Sequence, residues 1–176
     1  MGAGEGETLL MTLAELTDKE VGNFISNYEK SGKDTGGKFT LAELHLEKLR
    51  RLKSPFPPAE VAKVIISIAR KSDDGLVTYK EVWERFRPDS KWIGNAPRTE
   101  PGKALGTVIA YCIDHGLPLL SALVVQANKR SHSEEAIINI HNLARKLGVD
   151  VGADPKAFVQ KQQQEALALV AEALPV

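Results

Sequence analysis

The sequence has few of the residues and patterns that mark an enzyme. Its single cysteine, Cys112, cannot form a disulfide within the chain, which is typical of a protein from a reducing compartment. Glycine-rich phosphate-binding motifs, Gly-x-Ser-x-Gly and Cys-x-x-Cys are all missing. None of the four histidines stands three or four residues from another, so no metal-binding pair is formed along a helix. We therefore expect a protein that is not an enzyme and has no cofactor.

Long apolar segments are also missing. No run approaches the roughly 20 residues that a membrane-spanning helix needs. Residues 1–8 are rich in Gly and Glu and lack the basic and then apolar pattern of a secretory signal. We expect a cytoplasmic protein that makes no contact with a membrane.

Charge of one sign is not in excess either. The formal net charge is zero, which weighs against a dedicated nucleic-acid-binding protein, because phosphate neutralisation supplies most non-specific affinity. The charge is uneven, however: residues 38–103 carry fourteen basic and nine acidic side chains, between two acidic flanks. This basic middle is either a surface that faces a polyanion or a solvated surface of mixed charge.

Capping boxes mark the starts of four predicted helices. Thr17, Thr40, Thr78 and Ser131 are each followed by Glu three residues later, so that side chain and backbone can cap each other. Pro58 closes a proline-rich segment and can open another helix, since proline is tolerated in the first turn. Two more helices are predicted at 103–115 and 155–174, and the apolar run 117–125 is the best strand candidate.

These elements predict a mainly α protein with one or two very short β pairings. We expect a disordered tail at residues 1–11, an EF-hand-like helical half at 12–87, a long loop at 88–102 and a C-terminal helical half at 103–176 with one short strand. Trp92 lies in that loop, either as an exposed anchor for a partner or as a pin that holds the loop on the core.

An internal repeat underlies the first half. The segments 37–44 and 75–82 each have a glycine, an apolar residue two places on, and a Thr-x-x-Glu box. Helix, loop, short strand and helix, repeated once over residues 14–87, resemble an EF-hand pair. The resemblance implies that Phe39 pairs with Val77 between the two loops. It also implies that Glu81 is the last calcium ligand of the second loop.

The loops depart from that family where calcium would bind. A loop ending at Glu81 would begin with Arg70 where the family has aspartate, followed by Ser72 and Asp74. The first loop offers only Asp34 as an acid. A calcium ion needs about six to eight oxygen ligands, so we expect weak calcium binding or none, with Asp74 and Glu81 as the only metal candidates. A degenerate calcium-binding protein remains one alternative.

Residues 75–128 carry a second resemblance. The run Thr78-Tyr79-Lys80-Glu81-Val82, a second helix and the turn at 115–120 are similar to the winged-helix DNA-binding domain of alkylguanine-DNA alkyltransferases. Ala122 and Leu123 stand where that family has proline and its reactive cysteine. The resemblance therefore implies DNA binding without alkyl transfer, since the thiolate carries out that reaction.

The same resemblance implies that the helix over residues 103–112 is a recognition helix, with Arg98, Lys103, Lys129 and Arg130 near phosphates. The apolar residues of this helix equally fit a helix of the core.

The sequence thus favours a non-enzymatic protein that binds another protein, with Trp92, Arg98 and Lys103 as the candidate contacts. The alternative is a DNA-binding regulatory or mobile-element protein of a bacterial kind. The last helix, with its apolar stripe, could also join two copies of the chain as a homodimer.

Overall fold

The computed structural model describes residues 11–176, and the predicted tail at 1–11 lies almost wholly outside the described residues. The prediction of a mainly α protein is confirmed. The helices are α1 Asp18–Ser31, α2 Leu41–Arg50, α3 Pro58–Ala69, α4 Tyr79–Phe86, α5 Ala96–Asp114, α6 Glu134–Lys146 and α7 Pro155–Leu167; the strands are β1 Val77–Thr78 and β2 Val124–Val125; 3₁₀ helices span Leu13–Glu15, Leu120–Leu123 and Ala171–Ala173.

Three of the four predicted capping boxes are confirmed, at Thr17, Thr40 and Thr78. The fourth is wrong, because Ser133 and not Ser131 caps α6, accepting a hydrogen bond from the Ala136 amide at 3.1 Å. His132 is hydrogen-bonded to the Ala122 carbonyl at 2.7 Å, so the chain turns into the helix only after it.

The predicted loop at 88–102 is too long, because α5 begins at Ala96 and not at residue 103. Pro97 stands in the first turn, where a missing N–H costs little. The N–H that Pro101 lacks would bond to the Pro97 carbonyl. Both prolines are buried, and this packing offsets the lost hydrogen bond.

The strand predicted at 117–125 is shorter than expected. Residues 120–123 form a 3₁₀ helix, and only Val124 and Val125 are in β conformation. An apolar run of this length is ambiguous because every one of residues 119–125 is buried, so no alternation shows. The last helix likewise ends at Leu167, and the 3₁₀ helix Ala171–Ala173 follows.

The only sheet among the described residues joins the two halves of the chain. β1 and β2 are parallel, with Val77 opposite Val124 and Thr78 opposite Val125. The pairing of Phe39 with Val77 implied by the EF-hand resemblance is therefore wrong. Phe39 instead packs edge-to-face on Phe24, with ring centroids 6.2 Å apart.

The core has two parts. A small cluster of Leu16, Val21, Ile25 and Leu44 lies between α1 and α2. The main cluster takes residues from α2 to α7, and α5 runs through it in contact with α2, α3, α4 and the 3₁₀ helix Leu120–Leu123. α5 and α3 pack on each other and between them contact most elements of this cluster.

The last helix is docked on its own chain. Phe158, Val159 and Ala166 of α7 are buried in the main cluster. Gln162 accepts a hydrogen bond from the Leu119 amide at 2.7 Å, and Gln163 donates one to the Ala122 carbonyl at 2.9 Å. Phe158 and Ala166 of the apolar stripe that suggested a homodimer are therefore used within the chain, whereas Val170 is 47% exposed.

No helix in the described part of the chain is both long and apolar enough to span a membrane.

His45 is the buried polar side chain with the least support. It lies on α2 between Leu44 of the small cluster and Leu46 of the main cluster, and is 8% exposed. Its Nε2 atom has no hydrogen-bond partner among residues 11–176. Burial lowers the pKa of His45; Lys146 of α6 and Lys48 of α2 lower it further, while Glu29 of α1 acts in the opposite sense. The folded protein therefore favours the neutral imidazole.

This burial predicts a loss of stability in acid. An exposed histidine has a pKa near 6.5. The contribution of neutral His45 is therefore complete above that pH and is lost as the pH falls to the lowered pKa of the folded state. Urea unfolding at a series of pH values should show a steeper fall in unfolding free energy for the wild type than for His45→Leu. Equal slopes for the two proteins would refute this assignment.

Candidate functional site

α5 divides into an exposed start and a buried remainder. Residues 104–112 are buried, with Leu105 alone partly exposed. In the first two turns only Pro97 and Pro101 are buried, and they lie at helical spacing with Ala104 on the side that faces the core. The opposite side of these turns is open to solvent.

That open side carries four polar residues and one glycine, and none of them is acidic. They stand at positions i, i+3, i+4, i+7 and i+8, and so lie on one face of the helix. A Cβ added at Gly102 would meet no atom within 4 Å, so another molecule can approach the backbone there. We call this set the α5 stripe: Asn95, which is the N-cap, and Arg98, Thr99, Gly102 and Lys103, all exposed.

The one acid in these turns, Glu100, is turned toward the protein. Its carboxylate accepts a hydrogen bond from Trp83 Nε1 at 3.0 Å and pairs with Arg87 at 3.3 Å. Desolvation opposes ionisation of Glu100, but the hydrogen bonds from Arg87 and Trp83 lower its pKa overall. Glu100 also interacts with Lys103, but because it is paired with Arg87 it offsets that charge only in part, and the stripe keeps a net positive charge.

The stripe has a defined length. It covers residues 95–103, about 12 Å of helix axis. Beyond it, Leu105 and Ile109 continue the face of Arg98 and Gly102, and there they border a cavity of about 290 Å³. The cavity is also lined by Tyr79, Leu119, Ser121, Val124, His132, Ala136, Asn139, Ile140, Leu143 and Ala144.

Trp92 is partly buried and acts as a pin for the loop before α5. Its ring packs edge-to-face on Trp83 with the centroids 5.3 Å apart. The exposed apolar residue in this loop is instead Ile93, with 76% of its surface accessible. The sequence could not reveal that Ile93 and not Trp92 is exposed, because an isolated isoleucine before a glycine carries no signal of exposure.

Asp74 and Glu81, the predicted metal candidates, lie close together around Arg130. Arg130 Nε donates to Asp74 Oδ2 at 2.7 Å, and Nη2 donates to Asp74 Oδ1 at 2.9 Å, to Ser72 Oγ at 2.8 Å and to the Leu76 carbonyl at 3.0 Å. Glu81 Oε2 lies 3.5 Å from Nη1. These contacts, Arg130 first, hold the pKa of Asp74 far below its usual value. The five residues are called the Arg130 cluster below.

A guanidinium thus lies where the EF-hand resemblance would put a cation. No group of three or more His, Cys, Asp or Glu in residues 11–176 is arranged to hold a metal ion. The Arg130 guanidinium, which the alkyltransferase resemblance put near phosphate, forms its contacts within this cluster.

The single thiol is placed for packing. Cys112 is fully buried in α5, and burial raises its pKa to about 11. A thiol in that state is a poor nucleophile at neutral pH. Ala122 and Leu123, which stand where the alkyltransferase resemblance would put proline and cysteine, are also fully buried in the core.

Comparison of the chain with protein-family models, with curated proteins and with solved structures finds no match. The α5 stripe, the loop at Ile93 and the Arg130 cluster therefore have to be interpreted from their own chemistry.

The position of Trp92 predicts a contrast in stability with its neighbour. Trp92→Ala should lower the unfolding free energy by about 2 kcal/mol, less than the roughly 3–5 kcal/mol of a fully buried ring. Ile93→Ala should change it by no more than about 0.5 kcal/mol, because the side chain is solvated. Urea unfolding measures both, and equal effects would contradict the packing of Trp92 on Trp83.

Proposed function

We propose that this chain is a non-enzymatic protein that binds duplex DNA through the α5 stripe. The observation that carries the proposal is the acid-free, basic face on the first two turns of a helix whose remaining turns are buried. Positive side chains on such a face can contact phosphates, and a helix fits the DNA major groove. In helix-turn-helix proteins, residues near the start of the recognition helix contact the bases.

The residues of the stripe suit both kinds of contact. The Arg98 guanidinium can bind a phosphate or a guanine edge with two hydrogen bonds. Lys103 supplies a second positive charge one and a half turns away, and Gly102 lets the helix backbone come close. The buried remainder of α5 holds these groups in fixed positions, so little conformational entropy is lost on binding.

The alkyltransferase resemblance points to the same helix but to a later part of it. It implied a recognition surface over residues 103–112, which are almost all buried. The proposal moves that surface to residues 95–103, where the polar side chains are exposed.

Because the chain has no net charge, its affinity for DNA should depend on a few phosphate contacts. With Arg98, Lys103 and Lys129 as phosphate contacts, the logarithm of the association constant should fall with the logarithm of salt concentration with a slope of about −3. That is a shallow slope for a DNA-binding protein, and it predicts modest affinity at physiological salt.

The direct test is fluorescence anisotropy with a labelled duplex at low salt. Wild type should bind, and both Arg98→Glu and Lys103→Glu should weaken binding at least tenfold, because each removes a phosphate contact and adds repulsion. Each variant should also reduce the salt slope by about one.

Lys30→Glu is the matched control. It makes the same charge change on exposed Lys30 of α1, whose main packing is against α2, and should bind like the wild type. No wild-type binding at low salt, or an equal loss with Lys30→Glu, would refute DNA recognition by the stripe.

A protein partner is the second candidate, and the exposure of Ile93 favours it. An isoleucine that is 76% accessible, beside a basic helix face, could insert into an apolar pocket of a partner. Trp92 no longer supports this candidate, because it packs on Trp83.

A partner that binds through Ile93 should stay bound to this chain at about 0.5 M salt, where surface charge interactions are screened. Ile93→Asp should abolish this binding and Arg98→Glu should not. Loss of binding in Arg98→Glu but not in Ile93→Asp would exclude binding through Ile93 and favour the stripe.

A further inference from the structure

Arg130 has an unusual backbone conformation that calls for a physical cause. It is the one non-glycine residue in the described chain with positive φ, at 44°. L side chains rarely adopt this region, because Cβ crowds the carbonyl that follows. The Arg130 amide closes a local turn by donating to the Gln126 carbonyl at 3.1 Å, and the side chain adds further interactions that hold the residue there.

The side-chain interactions all come from a distant part of the chain. Ser72, Asp74 and the Leu76 carbonyl lie on the segment that leads into β1, and Glu81 lies in the first turn of α4. Arg130 lies in the connection between β2 and α6. The guanidinium thus fastens residues 126–133 to the segment 72–81, beyond what the two-residue pairing of β1 with β2 provides.

The fastened loop borders the DNA-binding side proposed above. Its exposed cation, Lys129, lines a cavity of about 270 Å³. This cavity adjoins the cavity at the end of the α5 stripe, and the two share Tyr79, Val124, His132 and Ala136 as walls. The loop thus lies at one side of the two adjoining cavities, and Leu105 and Ile109, which continue the α5 face beyond the stripe, lie at the other.

We propose that Arg130 is a positioning residue that holds the loop 126–133, so that Lys129 binds the phosphates of the duplex bound by the α5 stripe. This role rests on the proposed function. The charge of Arg130 is compensated by Asp74 and Glu81, so the residue acts through Lys129 and not as a phosphate ligand itself.

Asp74→Asn separates this role from simple electrostatics. Asparagine keeps the shape and can still accept from the Leu76 amide, but it loses the negative charge and the oxygen that accepts from Arg130 Nε. Removing an acid from a DNA-binding protein should strengthen binding by charge alone. If Arg130 positions the loop, Asp74→Asn should instead weaken binding about fivefold and reduce the salt slope by about one, as Lys129→Ala does.

The other variants complete the test. Arg130→Gly tolerates the backbone conformation and removes the guanidinium, and should weaken binding as Asp74→Asn does. Arg130→Lys keeps the charge without the two-pronged contact, and its affinity for the duplex should lie between those of wild type and Arg130→Gly.

Adding Lys129→Ala to Arg130→Gly should cause no further loss of affinity. Arg145→Ala, which removes an exposed cation of α6, serves as the control and should bind like wild type.

Hydrogen exchange provides a readout that needs no DNA. Amides of residues 126–133 should exchange several-fold faster in Asp74→Asn and Arg130→Gly than in wild type, with α1 unchanged. Unchanged exchange, or normal binding by Asp74→Asn beside weakened binding by Arg130→Gly, would overturn the positioning role. Absence of wild-type DNA binding would refute the proposed function and the role of Lys129, while exchange would still decide whether Arg130 holds the loop.

Discussion

Burial of α5 is the constraint on which the rest of the structure depends. Four other elements pack on this 19-residue helix, and its later turns, from Ala104 to Cys112, are buried, which fixes the direction of the whole helix. Its first two turns are left at the surface. Prolines at 97 and 101 face the core and the polar residues face outward, so the position of the stripe follows from the packing of the same helix. A face built on a core helix is rigid, as the proposed recognition of a rigid duplex requires.

The features that could be predicted from the sequence are those determined by interactions between residues close together in the sequence. Three Thr-x-x-Glu boxes were found because both partners of each hydrogen bond lie within one turn. The start of α5 was missed because two prolines indicate a loop, and only their burial against the core makes the helix favourable. The strand Val124–Val125 was overestimated for a related reason, since complete burial removes the alternation by which strands are recognised.

Contacts over long sequence distances lay beyond such prediction. Arg130 and Asp74 are 56 residues apart, and nothing in either segment announces their pairing. The pairing of Val77 with Val124 is similarly distant, and it links the repeat of the first half to the second half instead of closing the repeat on itself. The candidate site was therefore predicted only in part: Arg98 and Lys103 lie together on one exposed face, whereas Trp92, Asp74 and Glu81 are engaged within the protein.

DNA binding by the start of α5 is tested most directly by an NMR titration. A short duplex is added stepwise to ¹⁵N-labelled protein while the backbone amide signals are followed. We predict saturable shifts concentrated in residues 93–103, with weaker shifts near Lys129, all suppressed by added salt. Shifts on α1 or α7 instead, or none at low salt, would contradict the claim.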